Sequence, residues 1–278
     1  IVQDWAIYIN KKKAFDCVYF YFSKAFDRVN HFKLLQKLID LNIDKHTVLW
    51  ISRYLTNQRF CVRVNNSCSR YGVCPSGVPQ GSCLNPLLFC IFILDLKNVI
   101  PETLKHKLYA DDLKLHGPTG TKAERKILQR TIDSISNWCA KNDMIISVPK
   151  CAVVCMKEDH VYTLDGQEIP RVNSIRDLGV TATPQLDFNI HITQTIQSAS
   201  LICNTIFRCF IIKCPMFYSR LYNSLVVPKF IYSSEVWRPY LKKHIDAIKK
   251  VQSKFLQRIA LRCKVERSSL DLVPISER

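Results

Sequence analysis

The sequence predicts an α+β chain in two parts: a mixed α/β module over residues 1–185 and a basic helical region over residues 186–278. Three observations carry this reading. Short apolar or alternating runs bounded by turn residues recur through the first part. From about Phe188 the apolar residues return at helical spacing, through Val251, Phe255 and Ile259. Charge shifts over the same stretch, since residues 201–278 hold 15 basic and 5 acidic side chains.

The elements follow in order. Cys17 to Phe22 is a continuous apolar and aromatic run, as expected of a strand covered on both faces. Val29, Phe32, Leu35, Leu38 and Ile39 recur at helical spacing, and Asp44 starts a second helix carrying Val48, Ile51 and Leu55. Phe60, Val62 and Val64 alternate with Cys61, Arg63 and Asn65, and Asn65-Asn66 supplies the turn of a hairpin. A turn-rich stretch from Ser76 to Ser82 then opens an apolar helix at Pro86, a residue favoured in the first turn. A second hairpin centres on Tyr109-Ala110-Asp111-Asp112, with Leu108, Leu113 and Leu115 as strand residues. Thr121-Lys122-Ala123-Glu124 is a capping box for a helix whose stripe is Leu128, Ile132, Ile135 and Cys139. Strands are expected at Met144–Val148 and Cys151–Met156, and Asp165-Gly166 is a tight-turn signal between two more.

Composition narrows the class. Of 278 residues, 47% are hydrophobic and 23% charged, which excludes wholesale disorder. The longest apolar run, Pro86 to Leu94, is about half of a bilayer span, so no membrane partner is expected. No secretory segment opens the chain, and 13 cysteines without a C-x-x-C pair read as reduced thiols. The expected location is therefore intracellular, nuclear or cytoplasmic, and not secreted. Cys151 and Cys155 lie in an apolar run and read as packed thiols rather than zinc ligands. The first residue is Ile, which suggests a piece of a longer product. The formal net charge of +17 suits a polyanionic partner, although a solvated basic surface or an anionic membrane accounts for it as well. Within the basic region, the candidate phosphate contacts are Lys242, Lys243, Lys249, Lys250, Lys254, Arg258 and Arg262.

Asp111-Asp112 is the sharpest chemical feature. Two like charges at a hairpin tip repel unless something positive compensates them. Hard oxygen ligands on a rigid turn favour Mg²⁺, above all where substrate phosphates complete the coordination shell. A pair of such ions would stabilise attacking and leaving oxygens in phosphoryl transfer.

The segment Phe22-Ser23-Lys24-Ala25-Phe26-Asp27-Arg28-Val29-Asn30-His31, then Ser76-Gly77-Val78-Pro79-Gln80-Gly81-Ser82, then Tyr109-Ala110-Asp111-Asp112 resembles the reverse transcriptase of non-LTR (LINE-type) retrotransposons. Asp177-Leu178-Gly179-Val180, and Leu221-Tyr222 through Val227-Pro228, Tyr232 and Val236-Trp237, resemble that family's downstream region. The resemblance implies a right-hand polymerase palm, an antiparallel sheet with packed helices, followed by an α-helical thumb. It implies RNA-directed DNA polymerase activity on an RNA template with a DNA primer, or on an RNA–DNA hybrid, using dNTPs and a two-ion Mg²⁺ site. Asp111 would be the main carboxylate ligand, Asp112 its weaker neighbour and the Phe22 backbone carbonyl a further ligand. Phe26 would be the steric gate under the nucleotide sugar. Gln80 and Gly81 would lie against the incoming base pair and template. Lys150 would protonate the leaving pyrophosphate.

The departures matter as much. The family places an aspartate, the palm's other metal ligand, immediately before Phe22-Ser23; this chain has Tyr21. Asp16-Cys17-Val18-Tyr19-Phe20 matches the usual approach to that aspartate, so the register holds and the metal site is expected to be incomplete. Asp27 is the motif's separate second acid and no displaced substitute. Asn85 replaces the usual glycine after Leu84. The upstream fingers are expected to be largely missing, residues 1–20 being the last piece before the palm strand. The readings are then an impaired RNA-directed DNA polymerase, a non-catalytic basic module that grips RNA or DNA, or a decayed product with neither property.

Overall fold

In the computed structural model, which describes residues 2–156, 160–266 and 270, helix α1 (Val2–Asn10) leads into strand β1 (Phe15–Tyr21). The first turn of helix α2 (His31–Asp40) is closed by Asn30, whose side chain accepts from the Lys33 N–H. Helix α3 (Lys45–Leu55) begins at Asp44, which accepts from the N–H groups of His46 and Thr47. The expected hairpin is present as two short ribbons. Strands β2 (Arg59–Phe60) and β5 (Gly72–Val73) pair outside, and β3 (Arg63–Val64) and β4 (Ser67–Cys68) pair across Asn65-Asn66.

Helix α4 (Asn85–Ile93) carries Pro86 in its first turn, and β6 (Lys105–Tyr109) and β7 (Asp112–Pro118) form the second hairpin. The Thr121/Glu124 capping box starts α5 (Lys122–Lys141), and β8 (Ala152–Cys155) follows. Asp165-Gly166 turns β9 (Thr163–Leu164) into β10 (Gln167–Glu168). The strand expected at Met144–Val148 is reduced to one bridge, Phe22 with Ile146, and residues 148–150 form a tight 3-10 turn. Pro149 has no N–H to extend a ladder, which ends the pairing there.

The main sheet has the order β6-β7-β1-β8, antiparallel throughout. Its buried side chains Val18, Phe20, Leu113 and Leu115 join one apolar cluster with Leu34 and Leu38 of α2, Phe89 and Phe92 of α4, and Leu128, Ile132 and Ile135 of α5.

The chain divides between Asn173 and Ser174, not near residue 185. The reason is the hairpin of β11 (Ile175–Asp177) and β12 (Val180–Ala182), whose Val180 is buried with Ile192 and Ala199 of helix α6 (Asn189–Cys209). Helices α7 (Pro215–Leu221), α8 (Val227–Ile231), α9 (Ser234–Trp237) and α10 (Lys242–Cys263) complete this unit around Phe207, Tyr218, Tyr222, Trp237 and Phe255. The two downstream sequence motifs prove to be one contact. The Tyr232 hydroxyl donates to the Leu178 carbonyl at 2.7 Å, and a Cβ on Gly179 would come within 3.1 Å of the same ring. Gly179 also has φ +88°, so that turn requires glycine twice over.

All thirteen cysteines are free thiols. Among the described residues, no helix is long and apolar enough to cross a membrane.

Candidate active site

The carboxylate hairpin is built by register. Asp112 pairs with Tyr109 on β6 and with Tyr21 on β1, so Ala110-Asp111 is the two-residue turn. Ala110 takes φ +51°, a conformation that costs a side chain roughly 1 kcal/mol. Asp111 and Asp112 are half-buried, whereas Tyr21, at the end of β1, is 37% exposed.

Lys150 reaches this point from the turn at 148–150. Its Nζ stands 4.6 Å from the centroid of the Tyr21 ring, a cation–π contact. Backbone bonds fix the two segments together: the Ser147 N–H donates to the Tyr21 carbonyl at 2.9 Å, and the Ser23 N–H donates to Ile145 at 2.7 Å. Because Tyr21 and Ser23 make these bonds, the intervening Phe22 directs its own N–H and C=O to the opposite edge, the side of β7. The Tyr21 N–H donates to Cys151 Sγ at 3.4 Å, and burial pushes that thiol up, keeping it neutral.

Phe26, Gln80 and Gly81 are gathered by a second set of bonds. Val78 N–H donates to the Phe26 carbonyl at 2.9 Å and Gly77 N–H to the Val29 carbonyl at 2.8 Å. Gln80 Nε2 donates to Asp27 Oδ1 at 3.3 Å. Gly77, at φ +90°, would place a Cβ 2.7 Å from the Asp27 carbonyl oxygen, so the loop closes only on glycine. Gly81, at φ +89°, has open space around it, and its backbone conformation is what selects glycine. Phe26 stacks on Phe89 with centroids 4.5 Å apart, leaving its ring half-buried. Asn85 is buried and accepts from the Tyr54 hydroxyl at 3.2 Å, a structural role at the start of α4.

One buried polar network has no counterpart in the sequence reading. Asp16, inside β1, accepts from His160 Nδ1 and from the Tyr162 hydroxyl, each at 2.7 Å. Arg125 Nη1 lies 2.9 Å from His160 Nε2. A guanidinium only donates, so Nε2 accepts and the proton of the imidazole sits on Nδ1, facing Asp16. The signal was an acid inside an otherwise apolar strand; its partners lie about 145 residues away in sequence and carry no local mark.

The seven cations of α10 divide. Lys242, Lys243, Lys249, Lys250 and Lys254 are exposed and, at about 100° per residue, share an arc of about 140° opposite the buried Ile248, Val251, Phe255 and Ile259. Arg258 and Arg262 face inward instead. Arg258 donates to Asn204 at 2.5 Å and covers the Phe207 ring at 4.4 Å, and Arg262 donates to the carbonyls of Phe207, at 2.8 Å, and Phe210. Those carbonyls end α6, so Arg262 caps a helix C-terminus while Arg258 braces the same turn through Asn204 and the Phe207 ring.

Paired carboxylates on a rigid turn are common ligands of divalent metal ions. Here Asp111 and Asp112 supply two carboxylates, and the Phe22 carbonyl faces their side of the sheet. At the end of β1, where the sequence resemblance implies a third carboxylate, there is the phenol of Tyr21. Among the described residues, no group of three or more His, Cys, Asp or Glu side chains is arranged to hold a metal ion. The donor set does not fit a two-ion centre.

An antiparallel sheet that carries paired acids on a hairpin beside its central strand, with a helical unit following in sequence, is the polymerase palm type of fold. The reverse transcriptase (RNA-dependent DNA polymerase) family profile matches residues 5–182, and the chain belongs to that family. Its curated relatives include RNA-directed DNA polymerases of non-LTR mobile elements. The jockey polymerase of Drosophila funebris is 26% identical over 91% of this chain and 29% of its own length. The jockey polymerase of Drosophila melanogaster is 28% identical over 85% of this chain and 27% of its own length. The chain thus spans less than a third of these relatives. Among solved structures, apo telomerase from Candida tropicalis matches 94% of this chain and 49% of its own at 11% identity and a TM-score of 0.50, a likeness of fold.

Proposed function

We propose that the chain is the palm and thumb portion of a non-LTR reverse transcriptase that still grips an RNA template with its primer strand but is impaired in DNA synthesis. The observation that supports it is Tyr21, paired with Asp112 and covered by the Lys150 ammonium. A phenol, with a reference pKa of about 10, contributes no anion at neutral pH. Its ring, bulkier than a carboxylate, would also compete with a triphosphate for space beside the hairpin. Phe26, Gln80 and Gly81, drawn together around Asp27, are the residues we assign to the nucleotide and template, and the lysines of α10 present a basic face to solvent. The retained features are those of binding, and the lost one belongs to chemistry.

The test is primer extension on RNA and DNA templates, with the chain alone and fused behind the upstream segment of a relative. Tyr21→Asp is expected to raise template-dependent extension about 10²–10⁴-fold, the equivalent of roughly 3–5 kcal/mol of transition-state stabilisation. Adding Asp111→Asn should abolish the gain. Robust extension by the Tyr21 parent that depends on Asp111 would sink the claim of impairment. A folded, nucleic-acid-binding Tyr21→Asp variant that stays inactive would show that the loss extends beyond this position.

A further inference from the structure

A cleft of about 400 Å³ opens beside the first half of α10, in the size range of a single small ligand. Its floor is formed by Phe230, Trp237 and Ile248, all buried, and its rim carries Arg238, Lys249 and Glu235. The floor is held in place: Trp237 Nε1 donates to the Tyr232 carbonyl at 2.8 Å, and the indole packs edge-on against His191 at 5.1 Å. An apolar, partly aromatic floor with cations at the mouth suits a flat body that carries an anion. Lys249 belongs both to this rim and to the lysine face of α10, so the cleft opens where a polyanion on that face would pass.

We propose that this cleft receives one unpaired base of a single strand whose phosphates run along Lys242, Lys243, Lys249, Lys250 and Lys254. The inference rests on the nucleic-acid-binding reading and adds a base-sized site to it. The base leaves water against aromatic and aliphatic side chains, and the flanking phosphates meet Arg238 and Lys249. Glu235 selects among bases because an ionised carboxylate only accepts. Guanine presents two adjacent N–H donors to it, whereas uracil presents a single N–H flanked by two carbonyl oxygens that it repels. The site therefore favours guanine over uracil.

The test is anisotropy binding of the full chain to a short oligouridine strand carrying one guanosine, beside the same strand with an abasic residue at that position. The abasic strand should bind about tenfold more weakly. Ile231→Trp, a plug at the exposed mouth of the cleft, should bring the guanosine strand down to the abasic level without changing the salt dependence. Glu235→Gln should erase the preference of the guanosine strand over an all-uridine strand. Equal, salt-dependent binding of the guanosine and abasic strands would overturn the base site and leave the lysine grip standing. A folded plug variant that binds both strands as the parent does would assign the cleft to another occupant, such as a protein segment, and overturn it too. Loss of all salt-dependent binding would remove the grip and this inference together.

Discussion

Tyr21 and Lys150 are neighbours only because β1 and the turn at 148–150 are bonded through Ser147. The identity and register of Tyr21 were legible in the sequence, since Asp16 to Phe20 and Phe22 to Asn30 frame it on both sides. The stacking of Lys150 on its ring was not, because a contact across nearly 130 residues leaves no local pattern. Asp16 is a similar case: the acid is visible in the run, and its His160 and Tyr162 partners are not. Two outcomes belong at this scale. Asp111→Asn should leave the metal-free protein as stable as the parent or slightly more so, because it relieves repulsion at the hairpin tip. A clear drop in melting temperature would instead make Asp111 a structural acceptor. Millimolar Mg²⁺ should barely move the melting temperature of the parent and should raise that of Tyr21→Asp, since only a bound ion shifts the folding equilibrium. Equal shifts in both proteins would detach Tyr21 from metal binding.

Strand β7 carries its own prediction. His116, paired with Cys17 on β1 and Lys105 on β6, is fully buried, and burial pushes its imidazole down to about 4. The Asp4 carboxylate, 3.6 Å away, opposes the shift only in part, and Lys105 and Lys107 add to it. Unfolded, the ring takes its proton near pH 6.5; folded, it does so only near 4. Between these values the unfolded chain binds more protons, so stability is fully present above pH 6.5 and falls as pH falls toward 4. The loss from this group is about 3 kcal/mol at most. Urea titrations at several pH values should give a smaller acid loss for His116→Phe than for the parent, and parallel curves would exclude His116 as the cause. Elements of this kind were largely legible because their signals are local: the Asp44 cap, the Thr121/Glu124 box and the Asp165-Gly166 turn all fall where expected. The strand at Met144–Val148 failed at Pro149, and the boundary near 185 failed because the short hairpin at 175–182 reads as a tail of the α/β part until Val180 is seen buried against α6.

At the scale of the whole chain, the excess of 40 basic over 23 acidic residues is plain in the sequence, but which cations are available to a partner is a tertiary property. Five lysines of α10 point to solvent, while Arg258 and Arg262 are committed to Phe207 and the end of α6. Binding to nucleic acid should therefore be mostly electrostatic and carried by about five phosphate contacts. The log–log salt slope should be roughly −3.5 on a single strand and −4.5 on a duplex. Replacing Lys249, Lys250 and Lys254 with Ala should flatten those slopes by about 2 and 3 respectively without lowering the melting temperature. Arg262→Ala should do the reverse: the α6 carbonyls lose a charged donor and the Phe207 ring its cover, so stability falls by about 1–2 kcal/mol while the slope holds. Salt titrations and thermal melts on the same four proteins, with Arg258→Ala as the fourth beside the parent, the triple variant and Arg262→Ala, separate the two kinds of cation. A parent slope near zero, or an unchanged slope in the triple lysine variant, would remove the α10 face from nucleic-acid binding. A large slope change in Arg262→Ala with unaltered stability would mean that the inward arginines, not the outward lysines, meet the phosphates.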